Sequence, residues 1–308
     1  MSTTQAGAGD SARPRRRQLS DVAIQRLFIM PTLILLIAWN IFPLFYSLYL
    51  SFTNYSAMAK EPPIWVGTGN FNAILGDDQL WKYFSTTGRY ALLTVSLQTL
   101  VGFFLAMLLR QRFRGSGFIT TLILIPMMLS PVVVGMFWKI IFNPTFGILN
   151  YLLGYSAGRG PNWLDDPNLA LWAVVIVDVW MWSPFVMLLC LSGLNAIPEY
   201  LYEAAEIDRA SPWFQFWRIT LPQVAPLLLI AVLFRTIEAF KAFDVVMGLT
   251  GGGPGDATEL IAVNLYRIAF LGQFRTGRAS ALAYIVLIII IAVSNMYIRY
   301  LNKIRGEG

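Results

Sequence analysis

Six apolar runs alternate with polar or Gly/Pro-rich connectors along this chain, at about 27–50, 90–109, 118–141, 169–191, 224–247 and 279–301. A bilayer's hydrocarbon core is ~30 Å thick, so a helix rising ~1.5 Å per residue crosses it in about 20 apolar residues. Each run is long enough, and the pattern predicts an all-α integral membrane fold of six transmembrane helices. Pro31, Pro43, Pro126, Pro131, Pro184 and Pro226 fall inside the runs. They predict kinks rather than breaks, because neighbouring helices can satisfy the freed carbonyls.

Ahead of the first run, "MSTTQAGAGDSARPRRRQLS" is small, polar and then basic, a composition unable to bury a core. Residues 1–26 are therefore expected to be a disordered basic cytoplasmic tail, and residues 27–308 a transmembrane domain. The first run is too long for a secretory signal, and no small-x-small cleavage site follows it, so it should persist as an anchor.

Composition agrees with this picture: 56% of residues are hydrophobic and only 13% charged. The net charge of +6 is not gathered on a polar face as in nucleic-acid binders, and no nucleic-acid partner is expected. Its distribution sets topology. With a cytoplasmic N-terminus, the same side receives Arg13, Arg15 to Arg17 and Arg26, then Arg110, Arg112 and Arg114, then Arg209 and Arg218, and finally Arg299, Lys303 and Arg305. The other side holds fewer, so both termini are expected in the cytoplasm. There is no His, and Cys190 is the only Cys, so disulfides, Cys/His zinc sites and His-dependent triads cannot be built within this chain.

One connector on the predicted cytoplasmic side departs from the others: "EYLYEAAEIDRASPWFQFWRITLP", residues 199–222. Pro198 suits a first helical position, and Glu199, Glu203 and Glu206 recur at i, i+4 and i+7 on one face. "DRAS" should break that helix. Ser211 and Pro212 then form an N-cap and first-position pair opening a second short helix, "PWFQFWRI", expected to end before Leu221 and Pro222. Trp213, Phe214, Phe216 and Trp217 could form an interfacial belt, but a helix resting on anionic lipid carries Lys and Arg. Here the first helix carries carboxylates, which favours a protein partner.

Glu203-Ala204-Ala205, then Arg209, then Ile219-x-Leu221-Pro222 resembles the E-A-A-x3-G-x9-I-x-L-P signature of permeases in ATP-binding-cassette importers. The resemblance implies a cytoplasmic helix-turn-helix coupling loop that docks on a separate ATPase. Its residues would be Glu199, Glu203, Ala204, Ala205, Asp208, Arg209, Trp213, Phe216, Ile219, Leu221 and Pro222. Arg209 stands where the family has Gly. Either the turn adopts another conformation, or Arg209 makes a contact that offsets a left-handed backbone.

"WVGTGNFNAILGDDQLWKYF", "LIPMMLSPVVVGMFWKIIFNPTFGILNYLL" and "EAFKAFDVVMGLTGGGPGDATE" resemble the carbohydrate branch of the same family. That branch implies sugar uptake, of a trehalose or maltose type. The implied partners are a second homologous permease, two ATPase subunits holding ATP and Mg, an extracytoplasmic sugar-binding protein, and the lipid bilayer. No cofactor, metal or catalytic residue is expected on this chain. "GGGPGDAT" lacks the Lys-Ser/Thr end of a P-loop and reads as a structural turn.

Span five carries Arg235, Glu238, Lys241 and Asp244. A lone charge at mid-membrane costs about 2.5–3.5 kcal/mol on translocon scales, so these should face protein or water. Steps of three turn by about −60° each, so the four are not expected to line one cavity. Arg235 and Glu238 are expected to border the substrate path, with Lys241 and Phe240 near it and Asp244 bracing the following loop. Asp178 is expected to hydrogen-bond a neighbouring span, and Cys190 to be a small buried residue. The competing reading is an integral-membrane enzyme acting on lipid-linked sugars, with Asp77 and Asp78 or Asp165 and Asp166 holding a metal. An ion-driven carrier would carry an internal repeat, and none is evident.

Overall fold

A computed structural model describes residues 21–305 apart from residues 112 and 273. Among the described residues the chain is helical, with one isolated bridge, Thr53 to Trp65. The helices are α1 (Asp21–Ser51), α2 (Gly69–Leu75), α3 (Asp78–Arg110), α4 (Ser116–Met128), α5 (Pro131–Ile141), α6 (Ile148–Leu152) and α7 (Pro167–Asn195). There follow α8 (Tyr200–Ile207), α9 (Pro212–Gln215), a π turn (Phe216–Thr220), α10 (Leu221–Phe240), α11 (Asp244–Leu249), α12 (Ile261–Phe270) and α13 (Thr276–Arg305).

Packing divides the chain into residues 1–49 and 50–308. The described part of the first unit belongs to α1, which is long and apolar enough to cross a membrane and contains Pro31 and Pro43 without ending at either. The predicted tail lies outside the described residues up to residue 20, and residues 21–26 form the first turns of α1.

In the second unit α7 is the central helix: 56% of its membrane window is buried, against 28% for α3 and 11% for α13. Ala173, Val174, Val177, Met181, Val186 and Met187 are fully buried along it. It packs tightly on α3 at Gly102, where a Cβ would lie 2.6 Å from Val186 Cβ and 2.7 Å from the Ser183 carbonyl oxygen. A second close crossing joins α5 to α11. A Cβ on Gly135 would lie 2.9 Å from the Val245 carbonyl oxygen, and one on Gly248 2.6 Å from that of Val132. Small residues allow such contacts, and without a hydrophobic driving force in lipid, close backbone packing holds helices together.

Three of the predicted spans are redrawn. The run 118–141 is not one helix: α4 and α5 meet at a 99° bend, and at 13 and 11 residues neither reaches ~30 Å. Pro131 begins α5 at its first turn, and Ser130 before it is extended, so here proline ends a helix instead of kinking it. Five helices therefore qualify as spans among the described residues, or six with the bent pair counted as one. Span five is displaced towards its N-terminus: it runs unbroken from Pro212 to Phe240 and stops before the predicted end at 247. Span two starts twelve residues early, because Asp77 caps α3 by accepting from the Gln79 and Leu80 N–H groups. Hydropathy marks only a helix's lipid-facing length, whereas capping marks its end.

Candidate functional site

The segment between α7 and α10 forms two short helices, and the turn joining them is left-handed at Arg209, with φ 54°. Arg209 N–H donates to the Glu206 carbonyl (2.9 Å) and Ala210 N–H to that of Ala205 (2.8 Å). This is the Schellman arrangement, whose left-handed position favours glycine. The backbone thus keeps the conformation expected of glycine while holding an arginine.

α9 does not end before Leu221. It passes through the π turn into α10, with the Leu221 N–H bonded to the Phe216 carbonyl. Pro222 has no N–H to give, and a π turn placed just ahead of it carries the helix past that gap. The loop's second helix is therefore the beginning of span five.

Three side-chain contacts fix the loop to the bundle. Tyr202 on α8 hydrogen-bonds Thr220 in the π turn (2.8 Å), and the Arg110 guanidinium at the end of α3 lies 4.3 Å over the Tyr202 ring. Phe216 packs against Phe103 of α3, with ring centroids 6.0 Å apart. Ser211 caps α9 by accepting from the Phe214 N–H, as its position predicted. The expected loop residues thus fall into two sets. Ala205, Phe216, Ile219 and Leu221 are buried or half-buried, whereas Glu199, Glu203, Ala204, Asp208, Arg209, Trp213 and Pro222 are exposed.

A second constellation lies where α3, α7 and α10 meet. Arg235 is 3% exposed, with its Nε donating to Gln98 Oε1 (2.8 Å), its Nη2 3.3 Å from Asp178 Oδ2, and its guanidinium 4.6 Å from the Trp182 ring. Gln98 also donates to Asp178 Oδ2 (2.7 Å). Asp178 thus bonds a neighbouring span, as expected, and a second one besides. Arg235 pairs with α7 and not with Glu238. Glu238 pairs with Lys241 at 2.7 Å, both about half exposed.

Arg235, Glu238, Lys241 and Asp244 all border one small cavity of about 90 Å³, along with Tyr90, Trp182 and Phe243. This corrects the expectation from helical steps. α10 ends at Phe240, and the chain turns before α11, which returns Lys241 and Asp244 to the face of Arg235. Phe240 instead lines a groove between α3, α10 and α13. Tyr90, Gln98 and Trp182 were not singled out from sequence. The available signal was Gln98, an uncharged polar residue in the middle of an apolar run.

Asp244 is exposed, and its side chain makes no hydrogen bond or ion pair to the Gly-rich loop among the described residues. Bracing of that loop falls to Asp256, which accepts from Gln79 (2.6 Å) and Lys82 (2.9 Å), and to Glu259, 3.3 Å from Arg267. The Lys82 hydrogen bond holds the Asp256 carboxyl below its usual range. Burial pushes the Glu259 carboxyl up, and the Arg267 charge only partly offsets that. Inside the loop, Thr258 bonds Thr250 and the Gly253 carbonyl, both at 2.7 Å. Of the four proposed metal ligands, two are engaged elsewhere, and no group of three or more His, Cys, Asp or Glu that could hold a metal forms among the described residues. Asp77 caps α3 and pairs with Arg278 at 2.7 Å, and Asp166 caps α7.

Residues 98–304 match the family described as binding-protein-dependent transport system inner membrane component. The chain is 34% identical over 273 residues to the trehalose/maltose transport system permease protein MalF of Thermococcus litoralis, covering 89% of this chain and 92% of that one. It is 31% identical over 282 residues to the trehalose transport system permease protein SugA of Mycobacterium tuberculosis, covering 92% and 90%. A chain from the crystal structure of a bacterial ABC transporter involved in import of the acidic polysaccharide alginate shares the fold, with TM-score 0.76 at 20% identity over 90% of this chain and 95% of that one. The chain belongs to the binding-protein-dependent transport system inner membrane components, as a multi-pass ABC-transporter permease subunit and not an enzyme.

Proposed function

We propose that this chain is one of two permease subunits enclosing the path of an ATP-driven sugar importer in a bacterial plasma membrane. Both termini face the cytoplasm, on the side where Lys and Arg concentrate. An extracytoplasmic binding protein delivers the sugar, and two cytoplasmic ATPase subunits hold ATP and Mg²⁺. The names of the relatives, trehalose/maltose and trehalose systems, support a disaccharide substrate.

The observation that carries this reading is the continuous helix from Pro212 to Phe240. Its 29 residues make a rod of about 43 Å at ~1.5 Å per residue. Trp213 is exposed at one end, and Arg235 and Glu238 approach the cavity near the other. Glu199, Glu203, Asp208 and Trp213 dock on the ATPase, while Phe216 and Tyr202 keep the loop from bending away from the bundle. A displacement at the ATPase then moves the charged centre as part of one body. If the ATP-bound ATPase pair binds one pore conformation more tightly than the other, occupancy shifts towards it by that difference in affinity.

Within the path, Arg235 is neutralised by Asp178, so Glu238, Lys241 and Asp244, with Phe243 beside them, are the groups presented to substrate hydroxyls. Co-purification of the complex, followed by measurement of which sugars raise its ATPase activity with the binding protein present, tests the reading. Absence of any co-purifying ATPase, together with uptake that needs no ATP, would overturn it. Glu238→Gln is expected to change uptake kinetics several-fold while leaving subunit assembly intact; unchanged kinetics would remove Glu238 from the path.

A further inference from the structure

We infer that Arg209 is a specificity-determining contact of the coupling loop, pairing with a carboxylate on the ATPase subunit; this rests on the docking role proposed above. Arg209 is left-handed, with φ 54°, and exposed. A residue with a Cβ pays roughly 1 kcal/mol or more for this conformation, which glycine would adopt freely. Nothing among the described residues offsets that cost. The guanidinium makes no ion pair or hydrogen bond among the described residues, although Glu206 and Asp208 are close in sequence. The loop is also tied to the bundle, because the Tyr202–Thr220 hydrogen bond and the Arg110–Tyr202 stack hold α8 to its neighbours. A bulky residue kept in a sparsely populated conformation points to a role outside the chain.

Its surroundings say which role. Arg209 lies on the rim of an open groove of about 710 Å³ between α8 and α9, lined by Leu201, Ala204, Ala205, Phe214 and Ile219. The exposed charges on the preceding helix and its ends are Glu199, Glu203, Glu206 and Asp208, all acidic. Arg209 is a fixed positive point at the edge of a negative face, beside a groove that can take an apolar side chain. The complementary surface is cationic opposite α8 and carries one carboxylate opposite Arg209. A guanidinium meets a carboxylate through paired, planar hydrogen bonds, so it selects position as well as charge. An ATPase with a neutral or basic residue there would bury the guanidinium unpaired, which rejects the wrong partner more strongly than it attracts the right one.

The test uses the assembled complex. Arg209→Gly is expected to leave the permease folded, with an unchanged or raised unfolding temperature, and to weaken ATPase association about tenfold at low ionic strength. The difference should shrink as salt is added. Arg209→Glu should weaken association further, and charge reversal at one acidic residue of the ATPase should rescue it. Equal affinity of Arg209→Gly and parent at both low and high salt would overturn the proposal. Trp213→Ala separates the two readings. If it weakens association and Arg209→Gly does not, the specificity role alone fails; if neither does, the docking role fails with it.

Discussion

The charged centre of the bundle and the loop between α7 and α10 each hold an arginine, under opposite conditions. Arg235 has Asp178, Gln98 and the face of Trp182 around it and is almost inaccessible. Arg209 is exposed, without a partner among the described residues, and on a backbone better suited to glycine. The first is fixed by three helices at once, so its charge is neutralised before any ligand arrives. The second is fixed only in backbone, so its charge remains available. Buried charge in this molecule organises helices, and exposed charge on a rigid turn is free for recognition.

The largest effect that sharpens this contrast is expected at Asp178. Asp178→Ala leaves the Arg235 guanidinium buried without its counter-charge, and breaking a buried pair costs about 3–5 kcal/mol. Thermal unfolding of the detergent-purified permease measures it, and a loss below about 1 kcal/mol would mean that Gln98 and Trp182 suffice. Replacing both partners, Asp178→Leu with Arg235→Met, should recover most of the loss, because paired apolar substitutes avoid the desolvation penalty.

Gly102→Val comes next. The added Cβ meets Val186 and the Ser183 carbonyl at under 3 Å, and overpacking costs about 1–3 kcal/mol or more. The same unfolding measurement should show it, whereas valine at Gly117, where nothing lies within 4 Å, should cost far less. The smallest effect is expected at the loop. Tyr202→Phe removes the bond to Thr220, worth about 1 kcal/mol, and leaves the stack with Arg110. Its signature should be a lower ratio of sugar transported to ATP hydrolysed at nearly unchanged stability. A large drop in stability with unchanged coupling would show that the bond braces the fold and does not serve the loop.

Much of the fold was legible as hydropathy, because lipid demands long apolar runs and nothing short or polar can replace them. Local signals held where they depended on a few neighbouring residues. Ser211 caps α9 as expected, while at position 209, where the sequence left two conformations open, the turn is left-handed despite its side chain. They failed where distant parts of the chain decide the outcome. Pro126 and Pro131 looked alike in sequence, yet Pro126 stays inside α4 while Pro131 opens a new helix at a 99° bend, with α5 packed on α11 far along the chain. The four charges of span five looked divergent on an ideal helix, and converge because that helix ends at Phe240.

What the sequence determined by itself was the class of molecule and the spacing of the coupling signature. These follow from composition and from contacts within a few residues. Which partner neutralises Arg235, and that Arg209 has none among the described residues, were decided only in the tertiary structure. Ion pairs between α7 and α10, or hydrogen bonds from α3, join residues 57 to 137 positions apart, and only packing brings such groups within 3.3 Å.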